Sequence, residues 1–87
     1  MRHIELSNMG IIVECKIFGN KAYIRLNNAL IRPLFKQMLV QKGIEVEEKD
    51  EWLLFEVKDK HTEKEIGDFL LEQFKVGGWQ VVKDQTN

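Results

Sequence analysis

Few residues in this 87-residue chain are of the types that perform chemistry, and their spacing gives them no common task. The single cysteine, Cys15, falls on the inward side of an alternating stretch with no histidine near it. That pattern describes a buried, inert thiol and not a nucleophile. His3 and His61 are isolated, and neither stands at metal-ligand spacing from Cys15 or from the other, so no metal is expected. Carboxylates are abundant, but none is set among apolar neighbours that would desolvate it for acid–base work. Gly77-Gly78 closes a helical stretch where a phosphate-binding loop would open one. The expectation is a protein that is not an enzyme and uses no cofactor.

Recognition is the chemistry that remains. Alternation puts Ile12, Phe18, Tyr23, Trp52 and Leu54 on the side of their strands facing away from the core, beside Lys16 and Arg25. An antiparallel sheet can leave one face wet, but that face should then be mostly polar. Large apolar side chains there mark a binding patch. The protein-binding set is Phe18, Tyr23, Arg25, Trp52 and Leu54, rich in the types that dominate interface energy. Homodimers are the commonest oligomers, so a second copy is the first partner to consider.

Charge is segregated. Residues 1–43 carry seven Lys/Arg and two Asp/Glu, and residues 44–87 carry six and twelve. The alternative function is nucleic-acid binding by the basic half, through Lys16, Lys21, Tyr23, Arg25, Arg32 and Lys36, with bases stacking on Tyr23 and phosphates meeting the cations. Against it stand the absent aromatic pattern of sheet-type RNA binders and the acidic second half. The simpler account pairs a basic helix with an acidic neighbour inside the molecule.

The elements that must position these residues follow from periodicity. Residues 11–18 and 21–26 alternate around Gly19-Asn20 and form a hairpin. Leu30, Ile31, Leu34, Phe35, Met38 and Leu39 recur at helical spacing and stop at Gly43. Pro33 places the start of that helix at itself, with Ala29–Arg32 as a separate turn. Ile44 and Val46 point inward and open a second hairpin, turning at Asp50-Glu51 and returning through Leu53, Phe55 and Val57. Glu48 then falls on the buried side, where a strand end or bulge must release it. Thr62-Glu63-Lys64-Glu65 is a capping box before a helix with the stripe Ile66, Phe69, Leu70 and Phe74. Gly67 inside that helix is expected to permit a close approach to the sheet or the first helix. Trp79–Lys83 is a last short strand, Asp84–Asn87 a frayed tail, and His3–Leu6 at most a short extra strand.

The order is ββαββαβ. It predicts an α+β two-layer sandwich, an antiparallel or mixed sheet of four to five strands with both helices on one face. Gly10-Ile11-Ile12-Val13-Glu14-Cys15-Lys16 echoes in Gly43-Ile44-Glu45-Val46-Glu47-Glu48-Lys49, and more weakly in Gly78–Lys83, suggesting duplicated ββα units. The ferredoxin-like order of residues 21–83 is the alternative. The length allows one domain, 1–87, with one small core. A lone cysteine, no apolar leader and no long apolar run point to the cytoplasm and away from membranes. Together these readings predict a small protein-interaction module, a regulator or inhibitor of the kind phages and mobile elements encode, binding a protein partner or itself.

Overall fold

The computed structural model describes residues 1–59 and 61–87. Its elements run β1 (Arg2–Asn8), β2 (Ile11–Phe18), β3 (Lys21–Leu26), α1 (Ile31–Gln41), β4 (Glu47–Lys49), β5 (Trp52–Glu56), α2 (Glu63–Val76) and β6 (Gln80–Thr86). The strands form one six-stranded sheet in the order β4-β5-β3-β2-β1-β6, every neighbouring pair antiparallel. The α+β class holds. The sheet has six strands where four to five are expected, because β1 is a full strand with a partner on each side.

Alternation decides what each strand buries. Ile4 and Leu6, Val13, Cys15 and Ile17, Ala22, Ile24 and Leu26, and Leu53 and Phe55 all face one side. There they meet Phe35 and Leu39 of α1 and Ile66, Leu70 and Phe74 of α2 in one apolar core. Phe35 stacks on Phe74 at 4.4 Å between ring centres and joins the two helices. The other face of the sheet carries no helix among the described residues.

From β3 onward the chain follows the ferredoxin-like order, with β5 beside β3 and β4 beside β5. β6 does not take the place beside β3 that this fold requires. The long β2–β3 hairpin fills it, and β6 pairs instead with β1 on the far edge.

Both helices end in Schellman motifs. In α1, Gly43 N–H donates to the Val40 carbonyl and Ile44 N–H to that of Leu39, at 3.0 and 3.1 Å. In α2, Gly78 N–H donates to Lys75 and Trp79 N–H to Phe74, with Trp79 edge-on to Phe74 at 5.5 Å. Ile44 is therefore spent on closing a helix, and β4 begins only at Glu47, three residues later than alternation predicts. Gly43 and Gly78 have φ of 82° and 84°, and Gly10 in the β1–β2 turn has 82°. What recurs along the chain is a left-handed glycine that launches extended backbone. Its contexts differ: Gly10 joins two strands, whereas Gly43 and Gly78 end helices, so the fold gives no support to two equal ββα units.

α1 begins at Ile31, ahead of Pro33. Asn28 Oδ1 accepts from Leu30 and Ile31 N–H at 2.9 and 3.0 Å, which satisfies two of the orphan donors. Pro33 falls in the first turn, where a missing N–H forfeits nothing. The stripe read for α1 is narrower than expected: Phe35 and Leu39 are buried, while Leu30 and Leu34 are exposed. The capping box of α2 is present, Glu65 N–H donating to Thr62 Oγ1 at 3.1 Å and Thr62 N–H to Glu65 Oε1 at 3.2 Å.

β6 extends to Thr86, so Asp84–Thr86 belongs to the sheet and not to a tail. One reason is Arg2, the one charged residue that is buried among the described residues. Its Nε and Nη2 donate to the two oxygens of Asp84 at 2.9 and 2.8 Å, and Nη1 to Asp68 Oδ1 and the Lys64 carbonyl at 2.9 and 2.8 Å. A buried cation is tolerable only when paired this fully. The Asp84 and Asp68 bonds hold the guanidinium charged well beyond its ordinary range, against the opposing effect of burial. Gly67 makes room for it: a Cβ there would stand 2.5 Å from Arg2 Nη1. The close approach expected of Gly67 is thus to a sheet side chain. No helix among the described residues is long and apolar enough to cross a membrane.

Candidate functional site: the helix-free face of the sheet

Strand register sets out this face as rows. One row runs Lys83, Glu5, Glu14, Arg25, Trp52, Lys49 from β6 to β4. The next runs Gln85, His3, Lys16, Tyr23, Leu54, Glu47, and a shorter third runs Phe18, Lys21, Glu56. The five residues assigned to protein binding are therefore neighbours. Tyr23 lies directly opposite Leu54, and Arg25 opposite Trp52. Phe18 meets Tyr23 edge-to-face at 5.9 Å. Side chains this close across a sheet support one another and present a continuous surface.

Exposure follows position. Phe18 and Ile12 are 48% and 51% exposed, while Tyr23, Trp52 and Leu54 are half-buried by their neighbours alone. Lys16 Nζ stands 5.8 Å from the Trp52 ring centre, within cation–π range. Arg25 Nε donates to Glu51 Oε2 at 3.1 Å across the β4–β5 turn, which orients the guanidinium.

The residues of the nucleic-acid alternative divide between two layers. Lys16, Lys21, Tyr23 and Arg25 share the helix-free face. Arg32 and Lys36 lie on α1, behind the sheet, and both meet Glu48 of β4, at 3.2 and 3.4 Å. Arg32 Nη1 also donates to the Leu26 carbonyl at 3.0 Å. These contacts answer the Glu48 puzzle as well: it occupies the helix side of a short edge strand, where the two α1 cations reach it. Cys15 is fully buried, and loss of solvation, followed by the nearby Glu14 charge, pushes its thiol far up from the ordinary value.

Two features escape a reading of the sequence. The first is a cluster of His3, Glu5 and Glu14 on the β1–β2 flank of this face, whose ligand atoms all lie within 4.8 Å of one another. The signal for it is His3-x-Glu5 on one side of a strand, but Glu14 joins only through the β1–β2 register. The second is an open groove of about 1150 Å³ between Ile44–Glu47 and β5, lined also by Val57, His61, Glu65 and Phe69. It exists because β4 is too short to cover the far half of β5.

No protein-family model matches the chain, and neither a curated protein nor a solved structure matches it significantly.

Proposed function

We propose that this chain is a non-enzymatic interaction module whose contact surface is the helix-free sheet face, and that its partner there is a second copy of itself. The observation that carries the reading is a strip of neighbouring apolar and aromatic side chains (Phe18, Tyr23, Leu54, Trp52) on a sheet face that no element among the described residues covers. A solvated face of an antiparallel sheet gives no reason for that composition.

Charge selects the partner. On the β2–β3 side of the strip Lys16, Lys21 and Arg25 outnumber Glu14, and on the β4–β5 side Glu47 and Glu56 outnumber Lys49. A two-fold axis running parallel to the strands past the Tyr23–Leu54 pair lays the basic flank of one copy over the acidic flank of the other. An isologous contact of this kind needs one self-complementary patch and no second surface. The apolar strip supplies the affinity, and the charges at its rim set orientation.

Light scattering coupled to size exclusion tests the reading, at low and high salt and with and without a mixed single-stranded oligonucleotide. The expected species is a dimer that persists at high salt and ignores the oligonucleotide. Trp52→Asp should leave a folded monomer, with the dimer Kd raised at least ~30-fold, the equivalent of ~2 kcal/mol for an anchoring aromatic. A monomer that shifts with the oligonucleotide only at low salt would transfer the face to nucleic acid, since phosphate contacts weaken steeply with salt. A Trp52→Asp chain that fails to fold would make Trp52 part of the core and end the proposal.

A further inference from the structure

We infer that His3, Glu5 and Glu14 form a binding site for a divalent metal ion of the zinc class, on the β1–β2 flank of the helix-free face. The inference stands apart from self-association.

The geometry is that of donors around one small ion. His3 Nε2 lies 3.6 Å from a Glu5 oxygen and 3.3 Å from a Glu14 oxygen. Donors held at ~2.0–2.1 Å from a tetrahedral ion stand roughly 3.3–3.5 Å from each other. The two separations match that edge length. Neither contact is a hydrogen bond: Nε2 is shut off from solvent and has no partner, because neither carboxylate oxygen lies where a ring N–H could donate to it. The imidazole nitrogen is thus left with no partner of its own in a place where two carboxylates already approach it. The Glu5 and Glu14 oxygens, within 4.8 Å of each other, need only a small side-chain rotation to close the third edge.

The backbone explains why three ligands converge. His3 and Glu5 are two apart on β1 and so share a face, and Glu14 is paired directly opposite Glu5 on β2. Two carboxylates in that relation repel. The neighbouring cations relieve this only in part: Lys16 Nζ is 3.8 Å from Glu14, and Lys83 and Arg25 are the next members of the same row. A divalent ion would neutralise both acids and join β1 to β2 through their side chains. The donor set of one imidazole and two carboxylates suits a borderline cation, which would complete its shell with water. The three side chains are already 70–84% covered, at 16%, 30% and 26% exposure, so little ordering remains to be done on binding.

The test uses the full chain, stripped with chelator and titrated with zinc chloride by calorimetry. Cobalt chloride in parallel reports coordination by visible absorption. The expected result is one ion per chain, a tetrahedral cobalt spectrum, and a thermal midpoint that rises with zinc. His3→Gln and Glu14→Gln should each weaken binding at least tenfold. His61→Gln is the control, since His61 lies beside Glu65 on α2 and is outside the cluster. No binding by the native chain would overturn the inference, as would binding that survives both cluster variants or is lost in His61→Gln. Glu14→Gln, at a sheet surface, serves if His3→Gln does not fold.

Discussion

Gly67→Ala is a substitution that ordinarily stabilises a helix, by ~1 kcal/mol, because glycine loses the most backbone freedom on folding. Here the sign should reverse. The new methyl would lie 2.5 Å from Arg2 Nη1, 2.7 Å from Cδ and 2.8 Å from Cζ, and must gain most of an ångström to reach ordinary contact at 3.4 Å. A free arginine tip would swing aside. This one is held by both oxygens of Asp84, by Asp68 and by the Lys64 carbonyl, in a site where Arg2 is only 7% exposed. Overpacking of this kind costs ~1–3 kcal/mol, and weakening without breaking one hydrogen bond to a charged group forfeits part of what that bond contributes, roughly another 1 kcal/mol. Set against the helix gain, the net is a loss of about 1–3 kcal/mol. Removing Arg2 removes the obstacle, so in an Arg2→Ala background the same change should stabilise by up to ~1 kcal/mol. The pair is therefore coupled by roughly 2–4 kcal/mol, the upper part of the range for residues in contact or just beyond it. Urea unfolding of the four proteins measures it. With a slope of ~1 kcal/mol/M for a chain of this size, Gly67→Ala should lower the midpoint by about 1–3 M alone and raise it by up to ~1 M beside Arg2→Ala. Arg2→Ala itself should remain folded, because Asp84 and Asp68 are 33% and 49% exposed and can hydrate. A midpoint that rises in both backgrounds, or falls equally in both, would refute the account of Gly67.

Acid should test the same cluster. The Arg2 hydrogen bonds hold Asp84 below its ordinary 3.8, and the Lys64 bond, then that of Arg2, does so for Asp68. A depressed folded-state value means the stabilisation is present above the unfolded-state pKa and is lost as pH falls through the lower folded value. Unfolding free energy should decline below about pH 4, and Arg2→Ala should flatten that limb; an unchanged limb would exclude Asp84 as its source. Asn28→Ala should remove the cap of α1 and cost ~1 kcal/mol, lowering the thermal midpoint by roughly 4–8 °C, whereas Asn28→Asp should keep most of the stability because its carboxylate can accept the same bonds. Thr62→Ala should act on α2 with a similar magnitude. Cys15, buried and with its thiol pushed far up, should react with a disulfide reagent only as fast as the sheet opens, so urea should accelerate the reaction; rapid modification of the native chain would contradict its burial.

Alternation and turn glycines make much of this fold legible. The β2–β3 hairpin, both helices, the capping box and the turn at Asp50-Glu51 all follow from local patterns, and so does the outward parity of Phe18, Tyr23, Arg25, Trp52 and Leu54. What escapes does so for identifiable reasons. β1 alternates from Arg2 to Asn8, but its turn places Met9 at φ 52°, and methionine is no turn signal, so the first hairpin is hidden. Lys83-Asp84-Gln85-Thr86 has no apolar rhythm; backbone pairing to β1 and the Arg2–Asp84 bond make it a strand. Ile44 and Val46 alternate like strand residues, yet Ile44 completes a helix cap and both lie against the edge of the core. The His3–Glu5–Glu14 cluster depends on a register that no single segment encodes.

The pairing of β1 with β6 also governs the order in which the chain can assemble. β1, β2 and β3 are a meander of near neighbours, and such local contacts form early. β6 emerges after the other five strands and must travel back to β1, with Arg2 opposite Thr86. Until it arrives, β1 presents a seven-residue open edge. Arg2 meanwhile lacks Asp84, and lacks Asp68 until α2 docks. A nascent chain halted before Gln80 would thus hold a sticky strand beside an unpaired cation, the combination that invites capture by a neighbouring chain's edge. Pairing with β6 then covers the β1 edge and completes the Arg2 ion pairs, passing the open edge to a strand of mostly polar residues, so the protein's susceptibility to misassembly is concentrated in the interval before β6 is made.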